Sequence, residues 1–284
     1  MALKTVDEVE NLVERLDVKS NQLSDKFVKS VQGILGDILK ETEDYIMSGL
    51  QMTGGNIVYT PESLSFAMQA ADSLIKHMQD AGYSAVVQNF VSSYHELIPL
   101  SKALYEGVGV GKFEWTAGQV SMLHELQKFQ VSYLTEEPFR IPAAIIQQAL
   151  YESVLAGTPY SQLKAQIAGE LELDKKFERH MSTYAHDATM QFSRTMDAVS
   201  MKDTGFYYYA GTAIKTSRSF CINNVGGIYD EAEVNSWNAM NWQGKAPGDV
   251  KISLGGYNCR HRLIRVSKEF ALANGYVEKD KEGK

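Results

Sequence analysis

The sequence predicts a mainly α-helical chain that ends in a small α+β module. Three observations carry this. Apolar residues recur at three- and four-residue steps over most of the first 200 positions, the spacing that gathers them on one face of a helix. At Phe206 the character switches to an aromatic and β-branched run, FYYYAGTAIKT (206–216), the composition that strands favour. After the glycine-rich stretch SLGGYNC (253–259), the segment HRLIRV alternates as a half-buried strand does.

Taken in order, Leu12, Leu16, Leu23, Phe27, Val31, Ile34, Leu35 and Ile38 form the first apolar stripe, and TGGN (53–56) interrupts it. Thr60-Pro61 pairs an N-cap with a proline at the first helical position, and Gly82 sits near that helix's end. A further helix covers 84–105, and EGVGVGK (106–112) is the strongest loop signal of this half. Helix resumes from Thr116 to about Leu134, where TEEPFRIP interrupts with two prolines. A helix over 142–156 ends at Gly157, and Thr158-Pro159 caps another that runs to about Leu173. Residues 174–203 read as one long helix with Phe177, Met181, Tyr184, Ala188, Phe192, Met196 and Val199 on a stripe. Within the module, NNVGG (223–227) is turn chemistry, 230–241 forms one short helix, and WQGKAPGD is loop. The expected regions are therefore an N-terminal helical region 1–115, a helical body 116–204, the α+β module 205–270 and a charged tail 271–284.

Bulk composition narrows the function classes. With 44% hydrophobic and 22% charged residues among 284, the chain buries an ordinary globular core. A net charge of −7 weighs against a protein that coats nucleic acid, because phosphate binding needs clustered basic surface. Two cysteines, Cys221 and Cys259, do not make a disulfide framework at this size. The acidic, periodic start MALKTVDEVENLVERL does not read as a signal peptide. No apolar run reaches the roughly 18 residues of a membrane span, so no membrane partner is expected.

Several motifs carry candidate chemistry, each beside a plainer reading. GVGVGK fails the phosphate-loop spacing, since Glu106 stands where the first glycine belongs and Phe113 where the magnesium-binding hydroxyl belongs. His180 and His186 are six apart and do not share a helix face as a zinc pair does, and His77, His95 and His124 stand alone. Cys221, Cys259 and His261 are the candidate metal ligands, with Asp230 or His186 as a fourth and zinc as the metal. Cys259 and His261, two apart, share one strand face, which also permits a thiol–imidazole pair. The plainer reading makes Cys259 a small buried apolar residue under the turn, with no catalytic residue and no cofactor. Arg218, Arg260, Arg262 and Arg265, with Lys215, form a local basic cluster for a phosphate or an acidic partner surface, Arg260 and Arg262 facing outward together. Phe206 to Tyr209 offer stacking faces for bases, although alternation leaves two of the four for packing. Trp237 and Trp242 flank the short helix and cover the module's edge.

The order of features in the last third carries a resemblance. A helix with ATMQFSRTMDAVS leads to GFYYYAGTAIKTSRSFC, then an Asn/Gly turn, a loop, and GGYNCRHRLIRV. Over roughly 140–270 this resembles the minor head, or head morphogenesis, proteins of tailed bacteriophages, the family typified by the F protein of phage Mu. Mapped onto this chain, the signature takes Arg194 in the helix, Arg218 and Cys221 in the turn, and Asn258, Cys259, Arg260 and His261 in the closing motif after Gly255 and Gly256. Gly255-Gly256-Tyr257 stands where the family often has a histidine, and His261 where it often has a second cysteine. The resemblance implies a non-enzymatic virion component, made in the host cytoplasm and carried in the head in several copies around the portal, acting in assembly or genome delivery. The implied partners are portal or capsid protein, with contact to packaged DNA. Two alternatives stand beside it: a metal- or thiol-dependent hydrolase or nuclease using Cys259 and His261, and a DNA-binding packaging or ejection factor. Closing a small domain explains the GGYNCRH stretch without chemistry, because the glycines make the turn and Asn258 serves its backbone.

Overall fold

The computed structural model describes residues 3–110, 115–171, 175–200 and 204–277 of the chain. It is mostly helical, with a few antiparallel strands in a small C-terminal region, as the periodicity predicts. The chain divides into two compact units, neither of them continuous. One comprises Met1–Leu23, Ser93–Gln127 and His186–Lys284, the other Ser24–Ser92 and Lys128–Ala185. Divisions at 115/116 and 204/205 therefore do not separate the units. Three helices, α1 (Val6–Gly33), α6 (Ala117–Ala156) and α8 (Lys175–Ser200), give residues to both.

In the second unit the expected first stripe is broken. Ile34 leaves helical geometry at φ −106° and ψ 5°, between Gly33 and the start of α2 (Leu35–Gly49). Two helix-poor glycines flank the break, and only Ile38 of the three apolar residues 34, 35 and 38 is fully buried. TGGN forms a two-residue hairpin turn between β1 (Met52–Thr53) and β2 (Asn56–Ile57), with both glycines at positive φ. The Thr60 side chain accepts from the Ser63 amide and Pro61 begins α3 (Pro61–Met78), the cap that the Thr-Pro pair announces. A kink at Gly82, φ 98°, turns the chain into α4 (Ser84–Ser92). The expected helix 84–105 is divided: a 3₁₀ segment, Ser93–Leu97, precedes α5 (Ile98–Gly107), whose first turn takes Pro99.

The larger departure is α6, which passes unbroken through Pro138 and Pro142. A helical proline denies a partner to the carbonyl four residues earlier. For Pro138 that carbonyl belongs to Leu134, and the buried Tyr83 hydroxyl donates to it at 2.9 Å. Gln79 also donates to the Thr135 carbonyl at 3.3 Å. A tertiary donor replaces the backbone bond lost at Pro138. Gly157, φ 63°, terminates it, and α7 (Tyr160–Leu171) follows. Thr158 does not cap α7: its buried hydroxyl oxygen finds no partner among the described residues. Residues 172–174 and 201–203, at the expected ends of α7 and α8, lie outside the described residues, as do Gly111 and Lys112 of EGVGVGK.

In the first unit, Thr5 and Glu8 form a reciprocal cap at the start of α1. The C-terminal region holds β3 (Phe206–Ala210), α9 (Ser219–Asn224), β4 (Ile228–Asp230), α10 (Glu231–Ser236), α11 (Val250–Ser253), β5 (Arg262–Val266) and α12 (Lys268–Ala273). The predicted helix over 230–241 is α10 plus one 3₁₀ turn, opened by an Asp230–Glu233 capping box. The strand order is β4-β3-β5, all antiparallel, with Tyr207 opposite Tyr229 and Arg265, and Tyr209 opposite Leu263. Tyr207, Tyr208 and Tyr209 are all buried, so the aromatic run offers no face to bases. Alternation misleads here because β3 is central and covered on both sides. Tyr207 and Tyr209 join a cluster with Phe220, Trp237 and Leu263, while Tyr208 meets Phe270 of α12 on the opposite face and donates to Glu10 of α1.

Tyr83→Phe should remove the donor that stands in for the helix bond at Leu134. One buried carbonyl is then unsatisfied, and urea denaturation should show a loss of about 1–3 kcal/mol with no change in helix content. No measurable loss would mean that Pro138 is tolerated for another reason.

Candidate metal centre

The closing motif is a turn that only particular residues can make. At the end of α11, Leu254 takes φ 43°, Gly256 φ 101° and Asn258 φ 56°. A side chain on Gly256 would run into the backbone carbonyl of Gly244, and one on Gly255 would run into Cys221 Sγ. Asn258 suits the left-handed region, and its amide donates to Asp187 Oδ1 at 2.7 Å. Trp242 donates from Nε1 to the Gly255 carbonyl at 3.0 Å and stacks on Phe220 at 3.9 Å between centroids. The turn is thereby pressed onto the module core.

Arg194 of α8 clamps it from the other side. Its guanidinium donates to the carbonyls of Ile252 (3.1 Å), Cys259 (2.6 Å) and His261 (2.9 Å). An arginine fork suits several carbonyls at once, since its five donors are fixed in one plane. The same residue is named by the minor-head resemblance. Arg218 does comparable work at the rim, donating to the carbonyls of Gln243 (3.1 Å) and Tyr257 (2.8 Å).

Held this way, Cys259 and His261 meet Cys221 of α9. The three candidate ligand atoms all lie within 4.8 Å of one another, and all three residues are buried. Cys259 Sγ stands 3.6 Å from His261 Nδ1, and the Tyr209 hydroxyl donates to Cys221 Sγ at 3.5 Å. A bond from Cys221 holds Cys259 well below the usual thiol range, helped by the Arg194 charge and opposed by burial, while that bond and burial push Cys221 up. Two cysteine sulfurs beside an imidazole make the donor set of a soft divalent cation.

Of the two proposed fourth ligands, neither joins the cluster. Asp230 caps α10. His186 is buried and hydrogen-bonds the Cys259 backbone, and burial, then the Arg194 and Arg260 charges, lower it to about 4. Nε2 of His186 and Nε2 of His261 have no hydrogen-bond partner among the described residues.

The predicted basic cluster is not wholly a surface feature. Arg262 does not face outward with Arg260: it is 0% exposed, 3.5 Å from Asp17 and 3.4 Å from Asp197, and it donates to the Ser193 hydroxyl. Tyr105 donates to the other Asp197 oxygen. Arg265 lies half-buried over the Tyr207 ring, 5.7 Å from its centroid, and Arg260 is exposed. Arg262 is buried because β5 is covered on both faces, which strict strand alternation does not anticipate. Asp17, Ser193, Asp197, Asp187 and Tyr105 were not picked out from the sequence. A signal existed for two of them: Ser193 and Asp197 are one helical turn apart, each directly after a stripe residue of α8, Phe192 and Met196.

Among known proteins, the chain matches no family model, no curated protein and no solved structure.

Two substitutions test the clamp. Arg194→Met keeps the bulk and removes the donors, leaving three carbonyls short. It should cost about 3 kcal/mol or more in chemical denaturation. Arg262→Ala should cost about 3–5 kcal/mol by stranding the buried Asp197 carboxylate and leaving half-buried Asp17 without its partner. A loss under about 1 kcal/mol for Arg194→Met would show that the clamp does not hold the turn, and the same result for Arg262→Ala that its ion pairs do not hold β5 to α1 and α8.

Proposed function

We propose that the chain is a non-enzymatic structural component of a tailed-bacteriophage head, of the minor-head kind that its C-terminal sequence resembles. One observation carries the reading. Residues that the resemblance picks out at widely separated positions, Arg194, Cys221, Cys259 and His261, meet in one buried knot, and Asn258 stands in the same turn. Each supports the closure of the module. In this reading the C-terminal region is a rigid unit, and the partner is portal or capsid protein.

The enzymatic alternative receives little support from this arrangement. A thiol nucleophile needs access and a flanking base, whereas Cys259 and His261 are each 4% exposed beneath the turn. The DNA-binding alternative receives less support, since Arg262 is buried and Arg218 donates to two carbonyls. Arg260, exposed on the closing turn, is the contact residue this reading retains.

Quantitative mass spectrometry of purified particles and tailless heads of the phage encoding the chain tests the assignment. A low, fixed copy number already present in heads is expected, and absence from both would overturn the role. Arg260→Ala should lower incorporation while leaving the melting temperature within the range of a surface change, about 0.5 kcal/mol. Wild-type incorporation would remove Arg260 from the interface.

A further inference from the structure

We propose that Cys221, Cys259 and His261 bind one zinc ion, and that this ion ties α9 to the turn before β5. The inference stands on the geometry of the buried cluster and does not depend on the head assignment.

One edge of the cluster has the spacing of a coordination shell. With Zn–S of about 2.3 Å and Zn–N of about 2.0–2.1 Å, a tetrahedral ion sets sulfur and nitrogen about 3.5–3.6 Å apart. Cys259 Sγ and His261 Nδ1 are 3.6 Å apart, and the third ligand atom completes a face within 4.8 Å. The fourth vertex falls to an oxygen. The Tyr209 hydroxyl is 3.5 Å from Cys221 Sγ, the sulfur–oxygen edge of about 3.5 Å that a Zn–O bond of about 2.0 Å would give. Either that hydroxyl or a water bonded to it fills the position.

The surroundings are shaped for such a shell. Gly255 lacks the side chain that would occupy the space beside both sulfurs. Gly211, φ 114°, lies against the His261 ring with no room to spare for a larger residue. Arg194 orients two of the ligands through their own carbonyls, the outer-sphere role that fixes ligands in metal sites. Two thiolates and a neutral imidazole suit zinc, which needs no redox partner and tolerates a closed tetrahedral pocket. Because the ligands come from α9, the turn and the residue before β5, the ion would cross-link α9 to the closing turn.

The test uses the full chain, reduced, stripped with a chelator and titrated with zinc alone. We expect one zinc per chain by elemental mass spectrometry after desalting, together with a rise in melting temperature. Cobalt in its place should show the thiolate-to-metal charge-transfer band. His261→Ala, which keeps both thiols, should weaken binding by more than the roughly 10–100-fold that losing an outer-sphere partner costs. His124→Ala, on an exposed face of α6, should bind as wild type does. No zinc uptake by the wild type, uptake without the cobalt–thiolate band, or isolation of the folded chain with a Cys221–Cys259 disulfide and no metal would each overturn the proposal. Should His261→Ala fail to fold, the wild-type stoichiometry and cobalt spectrum decide alone. A failure here leaves the particle copy-number result untouched, so the two readings fail separately.

Discussion

Arg194 is the residue on which the C-terminal half of the first unit depends. The turn after α11 exposes carbonyls that no strand or helix serves, because Leu254, Gly256 and Asn258 adopt positive φ and carry the backbone out of any regular ladder. Burying those carbonyls without donors would cost about 1–3 kcal/mol each. A single guanidinium from α8 answers three of them. Cys259 and His261 are held in place by that constraint.

A second arginine joins more distant pieces of the same unit. Arg262 of β5 meets Asp17 of α1 and Asp197 of α8, and Tyr105 of α5 closes the network on Asp197. Four segments far apart in sequence are brought to one buried charge. Such a pair gains little over an apolar core of equal volume, yet removing one partner is costly, so it specifies which elements assemble. That explains why the unit is discontinuous. The same segments are also stitched by backbone bonds, Lys4 to Gly107 at 2.9 Å and Ser267 to Val108 at 3.1 Å.

Local chemistry was legible in the sequence where local chemistry decides. Thr60-Pro61, the TGGN turn, Gly157 and the strands at 206 and 262 all follow from caps, positive φ and side-chain preference. Reading failed where a distant residue intervenes. Pro138 reads as a helix end until Tyr83, more than fifty positions earlier, supplies a donor. Arg262 reads as surface until the strand is known to be covered on both faces. The candidate site was partly visible: Cys221, Cys259 and His261 stood out by residue type, and Arg194 only through the minor-head resemblance. The carboxylates around Arg262 carry no pattern that distinguishes them from the other acidic residues of an acidic chain, apart from the Ser193–Asp197 step on α8.

The central claim is that one guanidinium holds the closing turn. Native-state hydrogen exchange, resolved over residues 250–262 in the wild type and in Arg194→Lys, tests it most directly. Lysine keeps the charge and loses the planar fork. The account predicts that protection falls sharply over 250–262 while Ser24–Ser92 exchanges as before. Unchanged protection in the turn, or an equal loss in both units, would contradict it.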